Sequence, residues 1–121
     1  MTDIITEQII GTAIEVHRTL GPGLLESIYE NALCHELTLR SIRHETQKPV
    51  EIKYKDLLIK RQRLDLLVEN EVVVELKSTR KITDLYIAQT LSYLSATGLK
   101  KALLLNFGEK RLVDGIKRIS L

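Results

Sequence analysis

From Leu64 to Leu76, apolar side chains alternate with other residues on either side of Glu69-Asn70-Glu71. A period of two describes strands with one buried face, and two such runs around a short polar segment describe a hairpin. With Asn70 at the centre of the turn, Val68 faces Val72, Leu66 faces Val74 and Leu64 faces Leu76. All six apolar side chains then share one side of the sheet. A two-residue turn would slip the register by one and spoil this agreement. The odd-numbered loop is therefore expected, with Asn70 in the left-handed conformation that asparagine tolerates.

This register sets Asp65 opposite Glu75 on the side away from the apolar residues, with Lys77 two positions further along that same side. Two carboxylates and an ammonium group converge on one patch. Adjacent carboxylates suit a hard divalent cation such as Mg²⁺, which neutralises a phosphate and acidifies a bound water. A nearby lysine orients that water or stabilises charge developing in the transition state. The Leu76 carbonyl, between the two charged residues, offers a further oxygen ligand. By spacing alone, an ion-pair ladder on a solvated sheet face would look the same. A helix covering this face would tell against the ladder, because buried charges need a partner or a metal.

The flanking segments predict that helix. Ile5, Ile9, Ala13, Val16 and Leu20 recur at helical spacing, with Thr2 or Asp3 as cap. Gly21-Pro22-Gly23 breaks this helix, and a second is expected from about Leu24 to Arg40 with Leu25, Ile28, Ala32 and Leu37 as its buried stripe. Alternation from His44 to Tyr54 predicts a strand with Val50, Ile52 and Tyr54 on one side and Glu51, Lys53 and Lys55 on the other. Pro49 makes that strand start late or lie at an edge, and Asp56 suits a turn. A third helix is expected from Thr83 to Ala96, capped by Thr83 and ended by Gly98. Lys101 to Phe107 follows as a short buried strand, so a parallel right-handed crossover is expected. Arg111 to Leu121 alternates weakly and suits a last strand. Gln89 and Tyr93 share a face of the third helix with Tyr86, and Gly23, Glu26 and Tyr29 share a side at the start of the second.

The 121 residues suit a single domain spanning residues 1–121. The lone cysteine, Cys34, excludes an internal disulfide and points to a reducing compartment, the cytoplasm. Cys34 itself is expected as a small core or boundary residue. A net charge of +2 does not by itself argue nucleic-acid binding. By charge pattern alone, Lys53, Lys55, Lys60, Arg61 and Arg63 describe a solvated strand edge. No apolar run has transmembrane length, so no membrane partner is expected, and MTDIITEQII lacks the features of a signal peptide. His17, His35 and His44 show no metal-type spacing.

Gly23-Leu-Leu-Glu26-Ser-Ile-Tyr29 matches the signature for which the GxxExxY family is named. EVHRTLGPGLLESIYENAL, RLDLLVENEVVVELKS and LLLNFGEKRLVDGIKRI also resemble that family, which is placed in the PD-(D/E)XK nuclease-like superfamily. The resemblance implies an α/β fold: a mixed sheet in a restriction-endonuclease-like core, with two N-terminal helices and a β-hairpin–helix–strand unit. It implies Asp65 as the first acidic position and Glu75-Leu76-Lys77 as the E-x-K element. Leu64 stands where a proline is usual. Gln89-Thr-Leu-Ser-Tyr93 resembles the Q-x-x-x-Y element of the RecB-like branch, and Glu26 resembles the helix-borne acid that often completes such sites.

The implied activity is metal-dependent hydrolysis of phosphodiester bonds in nucleic acid, with DNA favoured and Mg²⁺ or Mn²⁺ as cofactor. Asp65, Glu75, Leu76 and Glu26 are the expected metal ligands. The competing expectations are a catalytically silent module that retains the fold and an RNA-directed nuclease. The intact set of Asp65, Glu75, Lys77 and Gln89 disfavours decay. A chain this small has little surface with which to grip a duplex, so a homodimer or a larger protein partner is a further expectation.

Overall fold

The structure, a computed structural model, describes residues 3–121. Helix α1 spans Ile4–Leu20 and α2 Glu26–Leu39. Strands β1 (His44–Tyr54), β2 (Leu57–Val68) and β3 (Val72–Lys77) follow, then α3 (Asp84–Thr97), β4 (Lys101–Asn106), a 3₁₀ turn at Leu112–Gly115 and β5 (Ile116–Ser120). Asp3 caps α1: its Oδ1 accepts from the Ile5 backbone N–H at 3.1 Å. Thr2, the alternative cap, lies outside the described residues. Gly21, at φ 72°, ends the helix in a conformation that disfavours other residues.

The five strands form one mixed sheet in chain order. Neighbours are antiparallel except β3 and β4, which the α3 crossover makes parallel. Helices α1 and α2 cover one face, where Tyr29, Leu33 and Leu37 meet Leu66, Leu76 and Phe107. Helix α3 covers the other, where Tyr93 and Leu94 meet Val50, Leu67, Val73 and Leu104. None of the described helices is long and apolar enough to cross a membrane. This is an α/β fold consistent with a PD-(D/E)XK nuclease core.

Of the stripe expected on the second helix, Leu37 is buried and Ala32 packs partly against the core, but Leu25 and Ile28 do not join it. Tyr29, Leu33 and Leu37 are fully buried, whereas Leu25 and Ile28 are exposed. Leu25 precedes the helix as its cap, and a spacing of four places the three buried residues in one row against the sheet. Strand β1 starts at His44, ahead of Pro49, which an edge strand tolerates. Its last residue, Tyr54, is exposed.

The hairpin has the expected register over Val68–Val72, Leu67–Val73 and Leu66–Val74. Glu69 and Asn70 both adopt positive φ, at 53° and 56°. The Glu69 carboxylate accepts the Arg43 backbone N–H at 2.7 Å, which holds the tip in place. Leu64 departs from the expected face. Leu66, Val68, Val72, Val74 and Leu76 face α1 and α2, but Leu64 joins the cluster under α3. The strand turns over at Asp65. Along β1 the pairs run Thr46–Leu66 and then Lys48–Leu64, and between them Gln47 is left-handed at φ 52°. Backbone pairing of β2 with β3 ends at Leu66–Val74, so the expected Leu64–Leu76 pair does not form.

Candidate active site

Beyond Leu66 the strands β2 and β3 part, and the charges singled out above lie in the fork. Asp65 is therefore not a ladder partner of Glu75, as simple continuation of the register required. Its side chain takes the place of the missing rung: Asp65 Oδ2 accepts the Leu76 backbone N–H at 2.9 Å. The N–H and C=O of one strand residue point to the same neighbour, so the Leu76 carbonyl also faces the fork.

Glu75 follows Val73 onto the α3 side of the sheet and is only 6% exposed. Its Oε1 is buried and has no hydrogen-bond partner among the described residues. Burial first, and then the charge of Asp65, push its carboxyl up to about 9. Lys77, one pleat further on, partly offsets the shift. The Lys77 Nζ sits 4.5 Å from the centroid of the Tyr86 ring, an arrangement that favours a cation over the aromatic face.

Helix α3 closes the fork on this side. The Tyr93 hydroxyl donates to Gln62 Oε1 at 2.9 Å. Burial, and then the charges of Glu75 and Asp65, raise the Tyr93 phenol. Gln89 lies one turn before Tyr93 and is half-buried. On the opposite side α2 contributes Glu30, whose carboxyl is raised by burial and by the charge of Asp65. Glu30 Oε1 accepts from Gln47 Nε2 at 2.9 Å.

Glu26 does not join the pair. It is exposed at the first position of α2, and no three His, Cys, Asp or Glu side chains gather as a metal-binding group among the described residues. One turn of helix separates it from Glu30, and it is Glu30 that reaches the field of Asp65. The other members of the Gly23-Glu26-Tyr29 pattern build the turn before α2. The Tyr29 hydroxyl donates to the Gly21 carbonyl and accepts the Leu24 N–H at 3.1 Å. Ser78 Oγ donates to the Leu24 carbonyl at 2.7 Å, tying that turn to the chain just after Lys77.

The far end of β3 is fixed equally firmly. Asn106, fully buried, accepts the Thr79 N–H and donates to the Thr79 carbonyl. Gly108 passes so close that a Cβ there would lie 2.1 Å from the Thr79 oxygen.

Glu30, Gln47 and Gln62 were not singled out from the sequence. Glu30 carried a signal, since it shares a helix face with Glu26. Gln47 and Gln62 carried none, because each matters only through the strand turning over at Asp65. A hollow of about 660 Å³ lies between the end of α2 and the hairpin tip, lined by Thr38, Arg43 and Asn70 among others, and contains none of these groups.

The residues present suit a divalent cation. A buried carboxylate oxygen without a partner, beside a second carboxylate and a strand carbonyl, is a hard oxygen donor set.

A family model described as the PD-(D/E)XK nuclease superfamily matches residues 3–119. The chain belongs to that superfamily. Its nucleases generally use divalent metal ions, and membership implies nucleic-acid binding. No curated protein and no solved structure matches the chain.

Proposed function

We propose that this chain is a divalent-metal-dependent nuclease of the GxxExxY type, acting on DNA as a single domain. The observation that carries the proposal is the orphaned Glu75 Oε1, buried beside Asp65 in the fork between β2 and β3. Asp65 and Glu75 would hold Mg²⁺ or Mn²⁺, with the Leu76 carbonyl as a third oxygen. The bound ion would neutralise the scissile phosphate and lower the pKa of a water molecule.

The protein's own groups divide the remaining work. Asp65 is oriented by its bond to the Leu76 N–H, so its free oxygen has a fixed direction. Lys77, held over Tyr86, presents a positive charge where negative charge grows on the phosphate oxygens. Tyr93 and Gln62 brace each other at the α3 side of the fork, and Gln89, one turn before Tyr93 on α3, serves as a substrate-positioning group. Glu30, on the α2 side, holds Gln47 and adds negative charge near Asp65. The lone Cys34 supports a reducing, cytoplasmic setting.

The test is cleavage of single- and double-stranded DNA and RNA by the purified wild type, Lys77→Ala and Asp65→Asn proteins, with Mg²⁺, Mn²⁺ or Ca²⁺. Wild-type cutting with Mg²⁺ or Mn²⁺ that Asp65→Asn abolishes and Lys77→Ala strongly slows supports the proposal. Equal residual cutting by all three proteins identifies a contaminant. No cutting by the wild type, together with no metal binding, overturns the proposal in favour of a silent module.

A further inference from the structure

The fork that separates β2 from β3 also frees the first half of β2. Residues 57–65 have no β3 partner and pair only with β1. Helix α3 covers the base of this two-stranded ribbon through Val50, Ile52 and Leu64. Beyond Ile52 the ribbon projects alone. At its tip Tyr54, Leu57 and Leu58 are 62%, 57% and 53% exposed.

The charges on the ribbon are mainly basic. Lys60 pairs with Glu51 at 3.4 Å, while Lys53, Lys55 and Arg61 form no ion pair among the described residues. The ladder slips between Val50 and Ile52, an irregularity that adds twist to the ribbon. Lysines on an edge strand also discourage pairing with other chains. That role does not account for the exposed apolar side chains at the tip beside them.

We infer that the β1–β2 ribbon is a grip for duplex DNA, set along the same strand that carries Asp65. The inference rests on the nuclease proposal for its choice of partner and deepens it. A two-stranded ribbon fits the major groove of B-form DNA, whereas the major groove of A-form RNA is too deep and narrow for side chains to read. Lys53, Lys55 and Arg61 meet phosphates, and the apolar tip meets sugars and thymine methyls. At about 3.3 Å per residue, Leu57 stands roughly 26 Å along the strand from Asp65. That is less than one turn of B-DNA, about 34 Å, so a duplex of two turns is long enough to span both the ribbon and the strand end at Asp65.

The test uses the full chain in chelator and a duplex of about 20 base pairs, two helical turns. Lys53→Gln/Lys55→Gln/Arg61→Gln is compared with wild type and with a control that loses equal charge on the far side of the sheet, Lys100→Gln/Lys110→Gln/Lys117→Gln. The ribbon variant is expected to bind about tenfold more weakly and to lose about 2.7 from the slope of log affinity against log salt. The control should bind like wild type. If the triple variant fails to fold, Lys53→Gln and Arg61→Gln alone should each lower the slope by about 0.9.

Equal losses in ribbon and control variants, unchanged binding by the ribbon variant, or tighter binding to duplex RNA or to anionic phosphatidylserine vesicles overturns the inference. A small diester, bis(p-nitrophenyl) phosphate, with Mn²⁺ separates grip from chemistry. The ribbon variant should cleave it as wild type does. Ribbon-dependent duplex binding by a wild type that neither binds metal nor cuts the duplex or the small diester would uphold the grip and overturn the nuclease proposal.

Discussion

The Leu76 backbone N–H donates to Asp65 Oδ2 at 2.9 Å, so one oxygen of this carboxylate serves the fold and the other is left for a ligand. The bond stands where a strand rung would otherwise be, at the point where β2 leaves β3. It ties the chemistry of Asp65 to the shape of the sheet, and the two can be separated by substitution.

Asp65→Asn keeps an oxygen for the Leu76 N–H but removes the charge. It should change stability little, abolish cleavage and weaken metal binding. Asp65→Ala leaves that N–H without its partner and should cost about 1–3 kcal/mol. Denaturant unfolding of both variants checks this. Equal stability of the two would mean that the bond contributes nothing to the fold.

Glu75 makes metal-free stability depend on pH. Its carboxyl is raised by burial and by Asp65 to about 9 from the ordinary 4.5, so the folded state holds a proton that the unfolded state has lost. The stabilisation is full below pH 4.5 and is lost as pH rises through about 9. Within that window stability should fall by up to about 1.4 kcal/mol per pH unit. Glu75→Gln should flatten the curve. Divalent-metal binding at neutral pH should release close to one proton, measurable by calorimetry in buffers of different ionisation enthalpy. Binding without proton release would show Glu75 to be already ionised.

Lys77→Ala should leave metal affinity within a small factor of wild type while lowering kcat by about 10²–10³. Gln89→Ala should have a smaller effect, as suits a positioning group. Calorimetric metal titration together with single-turnover cleavage checks both. A matching loss of metal affinity in Lys77→Ala would assign the lysine to the architecture of the site.

Asp3 links the start of α1 to β4. Its carboxylate caps the helix and meets Lys101 Nζ at 2.7 Å. The Lys101 bond, then that of Thr6, hold Asp3 down at about 2, so its contribution is present above pH 3.8 and is lost as pH falls through about 2. Asp3→Ala should cost about 1 kcal/mol at neutral pH. Thermal melts at pH 7 and pH 2 check the sign, since the difference between wild type and variant should shrink in acid.

Local pattern was enough to determine the elements and much of their order. Alternation around Asn70 fixed the hairpin register, because a slip of one residue would no longer set Leu66, Val68, Val72 and Val74 on a single face. The capping residues Asp3, Thr83 and Gly98 marked helix ends through hydrogen bonds made within a few residues. Glu75 and Lys77 followed onto one face from the strand period alone. Tertiary packing decided the rest. Leu64 crossed to the α3 side, and Asp65 became a substitute rung, because Gln47 on another strand turned left-handed opposite it. Glu30 came under the charge of Asp65 while Glu26 stayed exposed at the helix start, because the row Tyr29, Leu33 and Leu37 set the rotation and height of α2 on the sheet. A strand's period fixes which residues share a face only while its ladder is unbroken, and the break comes from contacts between segments far apart in the chain.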